Sequence, residues 1–344
     1  MPFNPQYTIT ERLLANIKRI TSLVAELNNR HFPHVILLEL ERTAREVSSF
    51  ASTSIEGNPL PLTEVKKILK SKPTNIRDSE KEVLNYNQGL QMLNERLQLD
   101  NTKLSTSLVL TIQKQVIEGL LPKFEIGFRN KPVVVNDPRT GQVVYLPPDV
   151  KDVHPLIEEL LSFINNYRDT IDPLILAGIF HKQMVIIHPF MDGNGRTTRL
   201  ATKVLLAEMG LNTFNLFSFE NYYNKNVTKY FQTVGEFGNY YDLVQKIDFT
   251  SWLEYFTEGI IDELLRVQKL FPVLPIPSQI RLEAHQQKIL EFIQKNGSIN
   301  QHQYAEITDR AKSTRALDFQ ELVLLKLIER KDKGKATYYI LKNK

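Results

Sequence analysis

The chain has 344 residues, 42% hydrophobic and 24% charged, with a formal net charge of +4. That is an ordinary globular composition with room for two or three folding units, and the charge is too small to point to a partner. The absence of cysteine excludes disulfides, thiolate metal sites and cysteine nucleophiles, and fits a reducing compartment.

"MPFNPQYTITERLL" lacks the basic start and apolar stretch of a secretory signal. No run approaches the roughly 18 apolar residues of a membrane span, so the expectation is a cytoplasmic protein with no membrane partner. In "VILLELERTAREVSSFASTSIEGN" the residues Leu37, Leu40, Ala44, Val47, Ala51 and Ile55 recur at spacings of three and four, which predicts an amphipathic helix. Gly57, Asn58 and Pro59 stop it. "KPVVVNDPRTGQVVYLPP" holds two β-branched runs around a turn and reads as a hairpin with a longer loop. "IDPLILAGIFHKQMVII" reads as a buried helix capped by Asp172, with Pro173 in its first turn. "RTTRLATKVLLAEMG" reads as another, with Leu200, Val204 and Ala207 as its inner stripe and Gly210 at its end. "LFPVLPIPSQ" carries three prolines and makes a linker. Beyond it come short helices and the hairpin-like "LIERKDKGKATYYIL", the order of a winged helix-turn-helix. From Ser278 onward 13 Lys and Arg face 8 Asp and Glu, an excess of +5, which leaves the rest of the chain at −1.

Between the two buried helices lies "HPFMDGNGRTTR", residues 188–199. A helix starting near Asn194 or Gly195 aims unpaired N–H groups and a positive dipole end at whatever precedes it. Gly193 and Gly195 let the backbone curl around an anion. Arg196 and Arg199, three apart in the first turn, offer two-pronged contacts to phosphate. Asp192 is placed to hold the Mg²⁺ that accompanies a nucleotide, and His188 to take a proton from an incoming hydroxyl. The Walker ending and the third glycine of a dinucleotide fingerprint are both missing. His181 and His188 are too isolated to form a metal site.

The loop matches the Fic (Fido) family motif at every fixed position. "FHKQMVIIHPF" resembles that family's lead-in helix and "GFRNKPVVVNDPRTGQVVYLPP" its flap hairpin. "ENYYNKNVTKYF" resembles the helix closing its adenine pocket, and the resemblance spans residues 30–260. It implies a mainly α fold: a Fic-type helical core with a β-hairpin flap, followed here by a small C-terminal winged-helix domain. The expected division is an N-terminal helical region at 1–110 with an inhibitory helix at about 36–57, a catalytic core at 111–270 with the flap at about 131–147, and the winged helix at 278–344.

The implied activity is transfer of AMP from ATP to Ser, Thr or Tyr hydroxyls of a protein target, with Mg²⁺ as cofactor. His188 would be the general base and Asp192 the Mg²⁺ ligand. Gly193, Asn194 and Gly195 would hold the inner phosphates, and Arg196 and Arg199 the outer ones. Val133, Val134, Val135 and Asn136 would form the flap strand bordering the nucleotide and aligning the target. Tyr222 and Asn226 would face the nucleoside. Gly195 favours nucleotidyl transfer, because a phosphate-transferring branch resembling the Doc toxins carries lysine there. "STSIEG", with Ser52 and Glu56, matches the family's inhibitory pattern, in which the glutamate pairs with the second arginine, here Arg199, and displaces the γ-phosphate. Two alternatives stand beside this: removal of AMP at the same site, and a DNA-binding regulator whose core senses nucleotide. DNA contact would use Lys312, Arg315, Lys331, Lys333 and Lys335, but it is not the favoured role of the tail, which equally suits protein interaction or a solvated face. Homo-oligomerisation is left open.

Overall fold

The computed structural model describes residues 3–29, 34–71, 76–98, 102–136, 140–207, 216–270, 282–325, 327–332, 334 and 337–342. In chain order the first helices are α1 (Glu11–Asn28), α2 (His34–Ile55), α3 (Leu62–Ser71), α4 (Asp78–Gln98) and α5 (Thr106–Val116). Strands β1 (Val135–Asn136) and β2 (Val143–Leu146) follow, then α6 (Val150–Tyr167), α7 (Pro173–Ile187) and α8 (Asn194–Ala207). Next come α9 (Phe219–Lys225), α10 (Val227–Val234), β3 (Gly238–Asn239), α11 (Tyr240–Leu243) and α12 (Thr250–Leu270). The chain closes with α13 (Ala284–Asn296), α14 (Gln301–Glu306), α15 (Lys312–Leu324), β4 (Ile328–Lys331) and β5 (Tyr338–Leu341). The fold is mainly α, as expected.

Packing divides the chain into two units, residues 1–29 with 45–271 and residues 30–44 with 272–344. The boundary expected near residue 110 falls inside the first unit, because α5 packs on both α4 and α8. The expected linker and the end of α8 at Gly210 lie outside the described residues.

At the centre of the first unit are α7 and α8. Asp172 caps α7 by accepting from the Leu174 N–H at 2.9 Å, with Pro173 in the first turn. Nearly every α7 side chain is buried, and the Trp252 indole donates to the Gly178 carbonyl at 2.8 Å. The expected single inner stripe on α8 is too narrow a description. Every residue from Arg196 to Leu206 is buried and Ala207 only half-buried, because α4, α5 and α7 all pack on this helix. A similar difference marks α2. Ala44, Ala51 and Ile55 are buried as the apolar spacing requires, but so are Ser48, Ser49, Ser52 and Thr53.

The hairpin is shorter than its sequence suggests. Among the described residues of the first strand only Val135 and Asn136 pair with β2, in the register Val135 to Tyr145 and Asn136 to Val143, with an irregularity between them. Val133 and Val134 precede the strand, and residues 137–139 of the turn are not described. β2 also pairs in parallel with β3, a strand too short for any sequence pattern to announce.

In the second unit, α13, α14 and α15 are followed by the antiparallel pair β4–β5, the element order expected of the tail. Its core is Ile289, Leu290, Ile293, Ile299, Tyr304, Phe319, Leu322, Ile328 and Leu341. Asp318 is buried and gathers the Tyr304 hydroxyl at 2.7 Å, His285 at 3.1 Å and Arg310 at 2.9 Å. Among the tail cations, Lys331 pairs with Glu329 at 2.9 Å and Arg315 donates to the Arg310 carbonyl at 3.0 Å. Lys333 and Lys335 lie outside the described residues. No helix among the described residues is long and apolar enough to cross a membrane.

Candidate active site

All twelve motif residues lie in one loop and helix start. α7 ends at Ile187, and His188 takes a left-handed backbone (φ 49°, ψ 61°) that turns the chain out of the helix. Gly193 has φ 79°, and a side chain there would also press on Ile117 at 2.8 Å. Asn194 closes the loop from inside: its carbonyl oxygen accepts from the Phe190 N–H and its amide donates to the Phe190 carbonyl, both at 2.9 Å. Its side chain is therefore engaged in holding the loop. Any anion contact from Asn194 falls to its main chain, at the open end of α8.

Over that open end sits a carboxylate. The Arg199 guanidinium donates to Glu56 Oε1 at 2.7 Å, to the Ser52 carbonyl at 2.9 Å and, through Nε, to the Ser52 hydroxyl at 2.7 Å. Arg199 is fully buried while Glu56 keeps 29% of its side-chain surface. Burial works against the arginine's charge, but Glu56, Tyr230 and Tyr86 outweigh it and hold its pKa raised. A Cβ on Gly195 would land on Glu56 Oε1 and lie 2.9 Å from Arg199 Nη1, so only glycine lets the carboxylate settle there. Arg199 Nη1 itself has no hydrogen-bond partner. The Glu56 carboxylate thus lies beside Gly195 in the first turn of α8, paired with Arg199.

The other arginine is also occupied. Arg196 Nη2 donates to both Asp192 oxygens at 2.9 and 3.0 Å, and Nη1 lies 3.5 Å from Glu82. Asp192 also accepts from the Gly193 N–H at 2.5 Å. Among the described residues no group of three or more His, Cys, Asp or Glu forms a metal site. One carboxylate still fits Mg²⁺, which commonly takes one or two carboxylates and completes its shell with water and substrate phosphate.

His188 is half-buried. Burial holds its pKa below the ordinary 6.5 and Arg129 pushes the same way, against the Val185 carbonyl, Glu56 and Asp192. Its imidazole is therefore neutral near pH 7, the form a base requires. His181 is a core residue, bonded to the Tyr230 hydroxyl at 3.0 Å and to Thr202 at 3.1 Å. Burial and the Arg199 charge keep its pKa well below the usual range.

Tyr222 lies on α9, and Asn226 lies between α9 and α10. The single helix expected over "ENYYNKNVTKYF" is two, α9 and α10, broken at Asn226. Asn226 is exposed and its side chain caps α10, accepting from the Lys229 N–H at 3.0 Å. Tyr222 packs on Tyr255 with ring centres 5.3 Å apart. The aromatics that interact with Arg199 are Tyr230 and Tyr86; Tyr230 is fully buried, its pKa pushed up to about 12 by burial.

A second polar cluster lies along the same pair of helices. Lys203, one turn beyond Arg199, pairs with the fully buried Glu220 at 3.1 Å and donates to the Phe217 carbonyl at 3.0 Å. Glu220 accepts from the Tyr86 hydroxyl at 2.6 Å and from the hydroxyls of Ser48 and Ser218 at 3.2 Å each. Ser48 and Ser52 on α2 and Glu56 just beyond its end repeat at four-residue spacing, opposite Arg199 and Lys203 on α8. That shared spacing was the available signal for Ser48 and Lys203, which sequence reasoning missed.

The Fic/DOC family matches residues 103–206, from just before α5 to the end of α8, and so includes the whole loop. The protein adenylyltransferase Fic of Culex quinquefasciatus is 27% identical over 226 residues, covering 60% of this chain and 43% of that protein. The Drosophila willistoni protein of the same name is 27% identical over 209 residues, covering 59% and 39%. The chain thus spans less than half the length of these curated relatives. A Fic family protein from Desulfovibrio desulfuricans shares the fold with a TM-score of 0.64 at 20% identity, over 99% of both chains. A Fic domain-containing signaling protein from Bacteroides thetaiotaomicron gives 0.60 at 20% identity, over 73% of this chain and 94% of that one.

Proposed function

We propose that this Fic/DOC protein transfers AMP from ATP to a hydroxyl of a protein target and is held off by its own Glu56. The observation that carries the reading is the Glu56 carboxylate on Arg199, seated over Gly195 at the start of α8. In the reaction, neutral His188 accepts the proton of the target hydroxyl. The hydroxyl oxygen bonds to the α-phosphorus, and the bond to the β-phosphate oxygen breaks, releasing pyrophosphate. The N–H groups at Gly193 to Gly195 and the two arginines stabilise the phosphate charge. Asp192 would hold Mg²⁺ once it exchanges Arg196 for the metal, and that ion would neutralise the phosphates. The exposed edge residues Val134 and Asn136 are placed to align an extended target segment. Productive ATP needs Arg199 for its terminal phosphate, so Glu56 must leave first.

The test is label transfer from α-labelled ATP with Mg²⁺ by four proteins: wild type, Glu56→Gly, Arg199→Ala and the double variant. A charge-assisted hydrogen bond of about 1.5–3 kcal/mol competes with ATP. Glu56→Gly should therefore label about 10- to 150-fold faster and lose part of the same energy in stability. Arg199→Ala and the double variant should stay slow, since both lack the phosphate grip. Glu56→Gly labelling no faster than wild type sinks the proposal.

A further inference from the structure

We infer that Arg129 is a positioning residue that locks the main chain of His188 and both ends of the flap into one register, an inference that rests on the adenylyl-transfer reading. Arg129 lies just before the flap and is 3% exposed. Its Nε donates to the His188 carbonyl at 2.9 Å, and its main-chain N–H donates to the Pro189 carbonyl at 2.9 Å. Nη1 reaches the Lys131 carbonyl at 3.5 Å, where the flap begins, and Nη2 the Pro148 carbonyl, where it ends. One planar cation thus bridges three chain segments through main-chain oxygens, a task suited to the rigid guanidinium fork.

Two neighbours reinforce the joint. The Tyr145 hydroxyl, from β2, donates to the Ile186 carbonyl at 3.0 Å. Phe128 stacks on Phe190 with centres 5.9 Å apart and planes within 8°, and the two residues form an isolated bridge. The carbonyls at 186, 188 and 189 therefore all accept from the hairpin or its entry strand.

The consequence is mechanistic. His188 holds an uncommon backbone conformation for a residue with a side chain; α7 fixes its N–H, which donates to the Met184 carbonyl at 3.1 Å, and Arg129 fixes its carbonyl. The flap borders the target and the histidine takes its proton, so their separation sets the reacting geometry. Arg129 fixes that separation without touching the nucleotide.

The experiment uses the full chain in the Glu56→Gly background. Arg129→Gln, Arg129→Lys and Tyr145→Phe are compared by label-transfer rate at saturating ATP, by ATP affinity, and by hydrogen exchange of peptides covering 143–148 and 185–192. Arg129→Gln should slow labelling by about 10- to 100-fold, leave ATP affinity within about twofold, and raise exchange in both peptides together. Arg129→Lys, which keeps a cation and a donor, should recover much of the rate, and Tyr145→Phe should fall between. Unchanged exchange in Arg129→Gln overturns the inference whether or not the parent labels. Equal loss of rate and ATP binding in Arg129→Gln and Arg129→Lys also overturns it, as a general folding effect. Absence of labelling in the Glu56→Gly parent, with coupled exchange intact, counts against the proposed reaction alone.

Discussion

Replacing His188 with alanine is expected to slow label transfer by about 10²–10⁴-fold and to leave ATP binding in place. The side chain makes one weak contact of its own, to the Val185 carbonyl at 3.4 Å, so its removal disturbs little structure. The loop around it is fixed by the Asn194 staple and the Arg129 bridge, both independent of the imidazole. What disappears is the proton acceptor. Because the histidine must be neutral to act, the rate should rise with pH through its pKa, and that pKa lies below the ordinary 6.5. The acidic limb should therefore sit lower than for a free histidine. Glu56 raises this pKa, so Glu56→Gly should move the limb lower still. A His188→Ala variant of the Glu56→Gly protein that labels at the parent rate removes His188 from the mechanism.

The second large effect concerns stability. Lys203→Met should destabilise the first unit by about 3–5 kcal/mol, the usual result of deleting one partner from a buried ion pair. Methionine fills most of the volume, so the loss is electrostatic. Glu220 is fully buried and would keep only the hydroxyls of Tyr86, Ser48 and Ser218. Removing both charges should recover much of the loss, since the pair's attraction and its desolvation then vanish together. Urea midpoints of wild type, Lys203→Met, Glu220→Gln and the double variant measure this directly. Additive losses in the double variant mean that the two residues are not coupled. Ser48 lies two turns before Glu56, which follows α2, so label transfer by the same variants reports whether this cluster also seats the glutamate proposed to inhibit.

Local chemistry sufficed wherever a feature is made by neighbours in sequence. Asp172 and Pro173 start α7, and Gly57 with its φ of 93° follows the end of α2. The glycine-rich turn into α8 needs only its own residues to be read as an anion trap. Those signals lie within a few residues of what they control, and a sequence shows them directly.

The tertiary structure decided which charges are buried and what they meet. Lys203 and Glu220 read as ordinary polar residues until partners from far along the chain enclose them. Ser48 is 172 residues from Glu220, Tyr86 is 134 residues from it, and Ser52 is 147 residues from Arg199. Arg129 looks like a flap surface residue but meets a carbonyl 59 positions away. The stretch around Asn226 differs from its local pattern for the opposite reason. The local pattern suggested one continuous helix, and the break at Asn226 engages its side chain as a cap instead. Burial on every side of α8 follows the same logic. Amphipathic spacing tells how many faces a helix can bury when one neighbour is present, whereas α4, α5 and α7 together cover this one. Residue identity along the chain therefore suggested the chemistry proposed for the loop, while the Glu56–Arg199 pair and the Arg129 contacts depend on residues that only folding brings within reach.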